Sequence, residues 1–344
     1  MTKLTKSMMI IALTFVLAFS FTTVFEMEAM AEDEYHISVI VKATDSDFWQ
    51  QMMTGAEVAE QVNENVTIDL LGPPSEADIA QQVAIVEDAV VGQPDAIVLA
   101  STSSDATVGA VEMAYEQGIK VVLVDNLIET DMYHTFMATD NIEGGAIAAE
   151  EFSRLAEEEY DIDLNEKVVG HINAMAGVQV LIDRSDGFID RITELNPDVE
   201  MLDPRYVDNR IPDAMSAAED IILGEGDNLG GFWANNNHTG VGVAQAIADA
   251  DAGDQFPAIS FDADPQQIDA IRDGYLDATI VQDPFAMGFD GVMNAIKAIE
   301  GEELPDFIDT GATLVTQDNL DDDEIQQLID TDLRSEAILE EYGM

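Results

Sequence analysis

The chain has 344 residues, no cysteine, and 70 acidic against 13 basic residues, for a formal net charge of −57. The length suits two domains, each with a sizeable core. The missing cysteine excludes disulfides and a lipid tether on an N-terminal cysteine, and the missing basic patch excludes nucleic acid as a partner.

Residues 1–31 read as a secretory signal peptide. Lys3 and Lys6 precede an apolar run from Met8 to Val24, and Ala29-Met30-Ala31 is a small-x-small cleavage site. The run is short for an anchor helix. The expected address is therefore the periplasm, with secretion or the cell surface as the alternative. Acidity on this scale repels itself in dilute buffer, while molar salt screens charges beyond about 3 Å. A halophilic protein, stable mainly in strong salt, is expected.

The stretch Tyr35–Gly55 sets the pattern for the rest. Ile37, Val39, Ile40 and Val41 form a strand apolar on both faces. Lys42 ends it, Ala43–Asp47 turn, and a helix follows, with Ser46 or Asp47 as N-cap and Phe48 and Trp49 at its start. Further strands are predicted at 66–71, 96–100, 120–124, 134–138, 167–172, 199–202, 230–234, 258–261 and 278–281. Helices are predicted at 48–62, 76–91, 105–117, 142–159, 179–194, 212–223, 239–250, 265–272, 284–299 and 324–333. Short apolar strands alternating with amphipathic helices mean right-handed βαβ units and parallel sheets, here in two lobes of similar length. The acidic run Asp318–Glu324 has the look of a calcium loop but lacks its glycine, and reads as solvated surface.

Ligands of open α/β sheets bind off the carboxyl ends of the strands. Those ends carry Lys42, Ser46, Phe48 and Trp49; Ser101–Asp105; Asp125 and Asn126; Asn235–His238; Asp262; and Gln282-Asp283. Amides, carboxylates and a lysine suit the hydroxyls of a polyol, and flat rings suit the C–H face of a sugar. Each has a plainer reading too: Asn236 as a helix cap, Asp125 as a turn residue, Phe48 and Trp49 as core. No GxGxxG follows a strand and there is no P-loop. His36, His134, His171 and His238 show no ligand spacing, and no serine–histidine–acid set is present. Neither a cofactor, a metal nor an enzyme is expected.

Several segments together carry a resemblance. They are Phe48-Trp49 with Gly55-Ala56, Gln93–Leu99, Gly118–Val122, Ala138–Asn141 with Gly144-Gly145, Arg184–Phe188, Ala234–Asn237, Phe261–Ala263 and Ala278–Gln282. In their order and spacing the chain resembles the ribose-binding-protein-like periplasmic solute receptors of ABC sugar importers, the type I periplasmic binding proteins. The resemblance implies an α/β fold of two Rossmann-like lobes, 35–139 with 283–309 and 140–282 with 310–344. The chain would cross between them near Asp140, Gln282–Asp283 and Asp309–Gly311, forming a hinge. It implies a monomer that closes on a sugar or polyol and delivers it to an ABC permease in the membrane. The alternative is an autoinducer-2 or sugar receptor feeding a sensor kinase or chemoreceptor. By position, Ser46, Phe48, Trp49, Asp125, Asn236, Asp262 and Gln282 match ligand contacts, and Asn209 matches more loosely. Lys42 stands where the ribose binder has a small hydroxyl residue. Asn126 and Ile182 stand for two arginines that grip ribose, and Arg184 reads as a structural ion-pair residue.

Overall fold

Apolar strands buried on both faces need helices above and below them, and the chain supplies these by alternating strand and helix along most of its length. The computed structural model describes residues 34–344; the expected signal peptide lies outside them. The first sheet is built from β1 (Tyr35–Ile40), β2 (Val66–Leu71), β3 (Ala96–Leu99), β4 (Lys120–Val124), β5 (Thr135–Ala138) and β12 (Phe307–Asp309). Its order is β12-β5-β4-β3-β1-β2, with every pairing parallel. Helices α1 (Asp47–Gln61), α2 (Ile79–Gly92), α3 (Val108–Glu116) and α9 (Pro284–Glu300) belong to it. Period-two alternation sorts its strands onto two cores: Ile37, Val39, Val98 and Val122 face one, Ile40, Ile97, Leu99 and Leu123 the other.

The second sheet holds β6 (Val168–Asn173), β7 (Glu200–Met201), β8 (Arg205–Tyr206), β9 (Leu229–Ala234), β10 (Ala258–Phe261), β11 (Ala278–Val281) and β13 (Thr313–Thr316). Its order is β13-β11-β10-β9-β6-β7, with β8 also on β6, and only β13 runs antiparallel. Helices α4 (Asn141–Glu158), α5 (Gln179–Leu195), α6 (Ile211–Glu225), α7 (Asn237–Asp249) and α8 (Pro265–Asp273) cover it. Chain passages between the sheets fall at Thr139–Asp140, Gln282–Asp283 and Thr310–Ala312.

Two helix pairs cross in close backbone contact. A Cβ on Gly55 of α1 would collide with the backbone of Phe285 in α9, and one on Gly288 with that of Met52. Gly145 of α4 and Gly187 of α5 form the equivalent close crossing against Arg184 and Ile142. Glycine is required here for backbone contact, which explains Gly55, Gly145 and Gly187 among the segments of the resemblance.

The C-terminus departs from expectation. The predicted helix 324–333 is two helices, α10 (Asp323–Ile329) and α11 (Thr331–Glu341), broken at Asp330. Asp330 is extended, with φ −120°, and its carboxylate caps α11 by accepting from the amides of Asp332 and Leu333. α10 packs on a core of the second sheet through Ile325, Leu328 and Ile329. α11 instead lays Ile338 and Leu339 on the core of the first sheet, and Arg334 pairs with Asp283 at 3.3 Å. The grouping of 310–344 with the second lobe therefore fails for α11.

Candidate functional site

The carboxyl ends of both sheets face a cavity of about 680 Å³. On the first side, buried Gln82 of α2 donates to the carbonyls of Val41 and Ala100, and its Oε1 accepts from the amide of Thr102. This latch fixes the ends of β1 and β3 just where Lys42 and Thr102 emerge. Lys42 Nζ lies 2.5 Å from Asp125 Oδ2, with both side chains over nine-tenths buried. It also lies 5.4 Å from the centroid of the Trp49 ring. Phe48 meets Trp49 edge-on at 4.7 Å. Trp49 Nε1 donates to Glu76 Oε1 at 2.6 Å. Asn126 Nδ2 reaches Ser104 Oγ at 3.4 Å. Ser46 occupies the N-cap position of α1 but makes no side-chain cap bond.

On the second side, Asp262 Oδ1 accepts from Gln282 Nε2 at 2.7 Å and Oδ2 from the Asn237 amide at 3.1 Å. Arg184 Nη1 stands 3.9 Å from the same Oδ2. Its Nε donates to Asn141 Oδ1, its Nη1 to the carbonyl of Asn235, and its guanidinium lies 3.9 Å from the Phe261 centroid. Burial pushes Arg184 down from its ordinary pKa, while Asp262, Asp125 and Glu76 pull it back up. The Asp264 carboxyl is pushed up to about 6 by burial and by neighbouring Asp262.

Asp125, Asn209 and Asp262 have φ of 64°, 54° and 73°. Aspartate and asparagine tolerate this left-handed backbone better than other side-chain-bearing residues, yet strain clustered on one cavity is a mark of functional sites.

Every candidate from the sequence, Lys42, Ser46, Phe48, Trp49, Asp125, Asn126, Asn209, Asn236, Asp262 and Gln282, lines this cavity. Two residues need a fuller description. Asn236 is a cap after all: its Oδ1 accepts from the Thr239 amide, and its Nδ2 donates to Asn209 Oδ1. Its carbonyl is thus spent inside the protein, and a two-ended amide grip is not available from it. Arg184, read as a structural ion-pair residue, does pair with Asp262 and also lines the cavity, whereas Ile182 is 37% exposed and outside the lining. Sequence reasoning also passed over Glu76 and the segment Ala174–Val178. Both follow strand ends, β2 and β6, that the carboxyl-end rule would have covered had it been applied to every strand.

Three polar atoms of the wall are buried with no hydrogen-bond partner: Asp125 Oδ2, Gln282 Oε1 and Thr102 Oγ1. For Asp125 the ammonium of Lys42 is in contact as an ion pair without the alignment of a hydrogen bond. Among the described residues no cluster of three or more histidines, cysteines or carboxylates is arranged to hold a metal, and no helix is long and apolar enough to cross a membrane.

The family described as the periplasmic binding protein domain matches residues 37–303. The ribose import binding protein of Escherichia coli is 27% identical over 292 residues, spanning 85% of this chain and 93% of that one. A carbohydrate transporter solute binding protein from Agrobacterium radiobacter, solved with D-arabinose, superposes with a TM-score of 0.80 at 31% identity, covering 88% of this chain and all of that one. An ABC transporter solute binding protein from Agrobacterium vitis, solved with D-fucose, gives 0.78 at 34% identity, covering 86% of this chain and all of that one. These relatives are transport proteins, not enzymes.

Proposed function

Since the chain belongs to the periplasmic binding protein domain family, we propose that it captures a neutral sugar or related polyol between its two lobes and hands it to the membrane permease of an ABC importer. One observation carries the choice of ligand. On opposite sheets, Gln282 Oε1 is buried with no hydrogen-bond partner, Asp125 Oδ2 touches the Lys42 ammonium without an aligned hydrogen bond, and both residues line one cavity. Buried polar atoms are normally satisfied, so the amide oxygen calls for a donor, and the carboxylate across the cavity has lone pairs for further donors. Hydroxyls supply donors; carboxylates and phosphates do not. Both buried cations, Lys42 and Arg184, already stand beside Asp125 and Asp262, which removes any excess positive charge that would recruit an anionic ligand.

In this reading Phe48 and Trp49 cover the ring, Asp125, Asp262 and Gln282 accept hydroxyl protons, and Lys42 and Arg184 donate. Asn209, Asn126 and Ser46 complete the rim, while Asn236 acts by holding Asn209. The lobes are 35–139 with 283–309 and α11, and 140–282 with 310–329. A sugar touching Asp125 on one and Gln282 on the other is gripped fully only when they close about the three passages. Export follows from the expected signal peptide. A panel of D-arabinose, D-fucose, D-ribose and D-allose titrated calorimetrically in molar salt tests this. Binding of one of them, lost in Asp125→Ala and Asp262→Ala, is the expected result. Affinity unchanged in both variants would refute the site.

A further inference from the structure

The aromatic wall of the cavity is held from the edge of the first sheet. Trp49 is 3% exposed, and its indole N–H has one partner, Glu76 Oε1, at 2.6 Å. A bond to a carboxylate is roughly twice as strong as one between neutral groups. Glu76 lies in the loop that follows β2, the edge strand. That loop is itself fastened. The Thr44 amide donates to the carbonyl of Pro73 at 2.9 Å, and the Asp78 amide to that of Ser75 at 3.0 Å. The carboxylate is therefore presented from a fixed base and not from a freely swinging turn.

The indole also packs in the apolar core of the first sheet and touches two other wall residues. Phe48 meets it edge-on. Lys42 Nζ lies over the ring at 5.4 Å and at the same time on Asp125. A rotation of the indole would thus displace the Lys42–Asp125 pair, because the ammonium rests on both.

We infer that Glu76 is a positioning residue for the site: it sets the plane of Trp49 and, through Lys42, the placement of Asp125. It thereby fixes which face of a sugar the aromatic wall accepts. This rests on the sugar-binding reading above. The role needs only a hydrogen-bond acceptor at Oε1, so the neutral amide of glutamine fills it and a hydrocarbon does not.

The chain has two tryptophans, Trp49 and Trp233. Labelling with 5-fluorotryptophan therefore gives two fluorine resonances, assigned with Trp49→Phe. In sugar-free protein, Glu76→Leu should shift or broaden the Trp49 resonance and leave Trp233 in place, while Glu76→Gln keeps both near their original positions. For whichever sugar of the panel binds, Glu76→Leu should lower affinity by about tenfold or more, the equivalent of one charge-assisted hydrogen bond. The order of preference among the sugars should change with it, and Glu76→Gln should recover most of the loss. The Trp233 resonance checks the fold, and Glu76→Ala replaces Glu76→Leu if that variant does not fold. An unmoved Trp49 resonance in Glu76→Leu overturns the inference, with or without sugar. Equal loss of affinity in the glutamine and leucine variants overturns it too, since the charge would then be acting on the sugar directly. If wild type binds no sugar of the panel, the functional reading falls, and the fluorine arm still decides whether Glu76 holds the indole.

Discussion

Replacing Lys42 with methionine removes one half of an ion pair whose side chains are only 7% and 6% exposed. Methionine fills most of the lysine stem, so packing is largely kept. What remains is the buried Asp125 carboxylate without the ammonium that touched it. Removing one partner of a buried pair costs about 3–5 kcal/mol, against at most about 1 kcal/mol for an exposed pair. Unfolding entropy near 60 °C is about 2.1 cal/mol/K per residue, which over the roughly 310 described residues gives about 0.65 kcal/mol/K. Lys42→Met should therefore lower the melting temperature by about 5–8 °C if the lobes unfold together. The double variant Lys42→Met/Asp125→Asn neutralises the orphaned carboxylate. Asparagine also accepts the left-handed backbone at this position, where φ is 64°. It should regain most of the loss while failing to bind sugar. Scanning calorimetry in molar salt on wild type and both variants is the assay. A loss below about 1 kcal/mol in the single variant would put the pair on the footing of a surface contact. A double variant no more stable than the single would show that the cost was not the unpaired charge. Either result defeats the reasoning.

Other expectations can be checked on the same material. With 70 acids and 13 bases, the melting temperature should rise steeply from dilute buffer to molar salt, and a flat response would remove the case for a halophilic protein. Gluconate and glucuronate should bind at least about a hundredfold more weakly than the neutral sugar, because a like-charge contact in a desolvated site costs several kcal/mol. Comparable affinity, read by competition calorimetry, would overturn the argument from unpaired acceptors. The Asp264 carboxyl, raised from 3.8 to about 6, holds its proton more tightly folded than unfolded. Its contribution to stability is therefore full below pH 3.8 and lost as the pH rises through about 6. Asp264→Asn should gain on wild type between pH 4 and pH 7 by at most about 3 kcal/mol. A difference between variant and wild type that stays constant over that range would count against a buried, proton-holding carboxyl.

The parallel strands were legible because burial on both faces leaves an unbroken apolar signature, as in Val121–Val124 and Ala96–Leu99. β12 and β13 were not, since a strand of three or four residues at a sheet edge keeps polar and exposed positions; Phe307 is 46% exposed. The break at Asp330 was hidden by apolar spacing that runs on through Ile325, Leu328 and Leu333. Only the capping role of Asp330 marks it, and a single aspartate in so acidic a chain gives little signal. In the site, strand ends disclosed the residues that leave the sheet directly. Arg184 escaped because it reaches the cavity from within α5, and Glu76 because β2 was not followed to its end. Asn236 shows that the two readings of a residue need not compete. It caps α7 and, by the same amide, holds Asn209 at the cavity.

Where the scarce cations sit argues for function over stability. A chain this acidic gains most from a base placed at its surface, where it relieves repulsion at little desolvation cost. Lys42 and Arg184 are instead buried, at 5% and 3% exposure, each next to an aspartate in the wall of one cavity. Apolar residues of similar volume in those places would commonly be neutral or stabilising. The two aspartates, in turn, hold backbone conformations that cost free energy for any residue with a side chain. Two buried pairs and two strained turns on facing sheets are four separate costs that apolar residues and ordinary turns would avoid. They become intelligible together if the donors and acceptors they fix in space are completed by a guest that carries both.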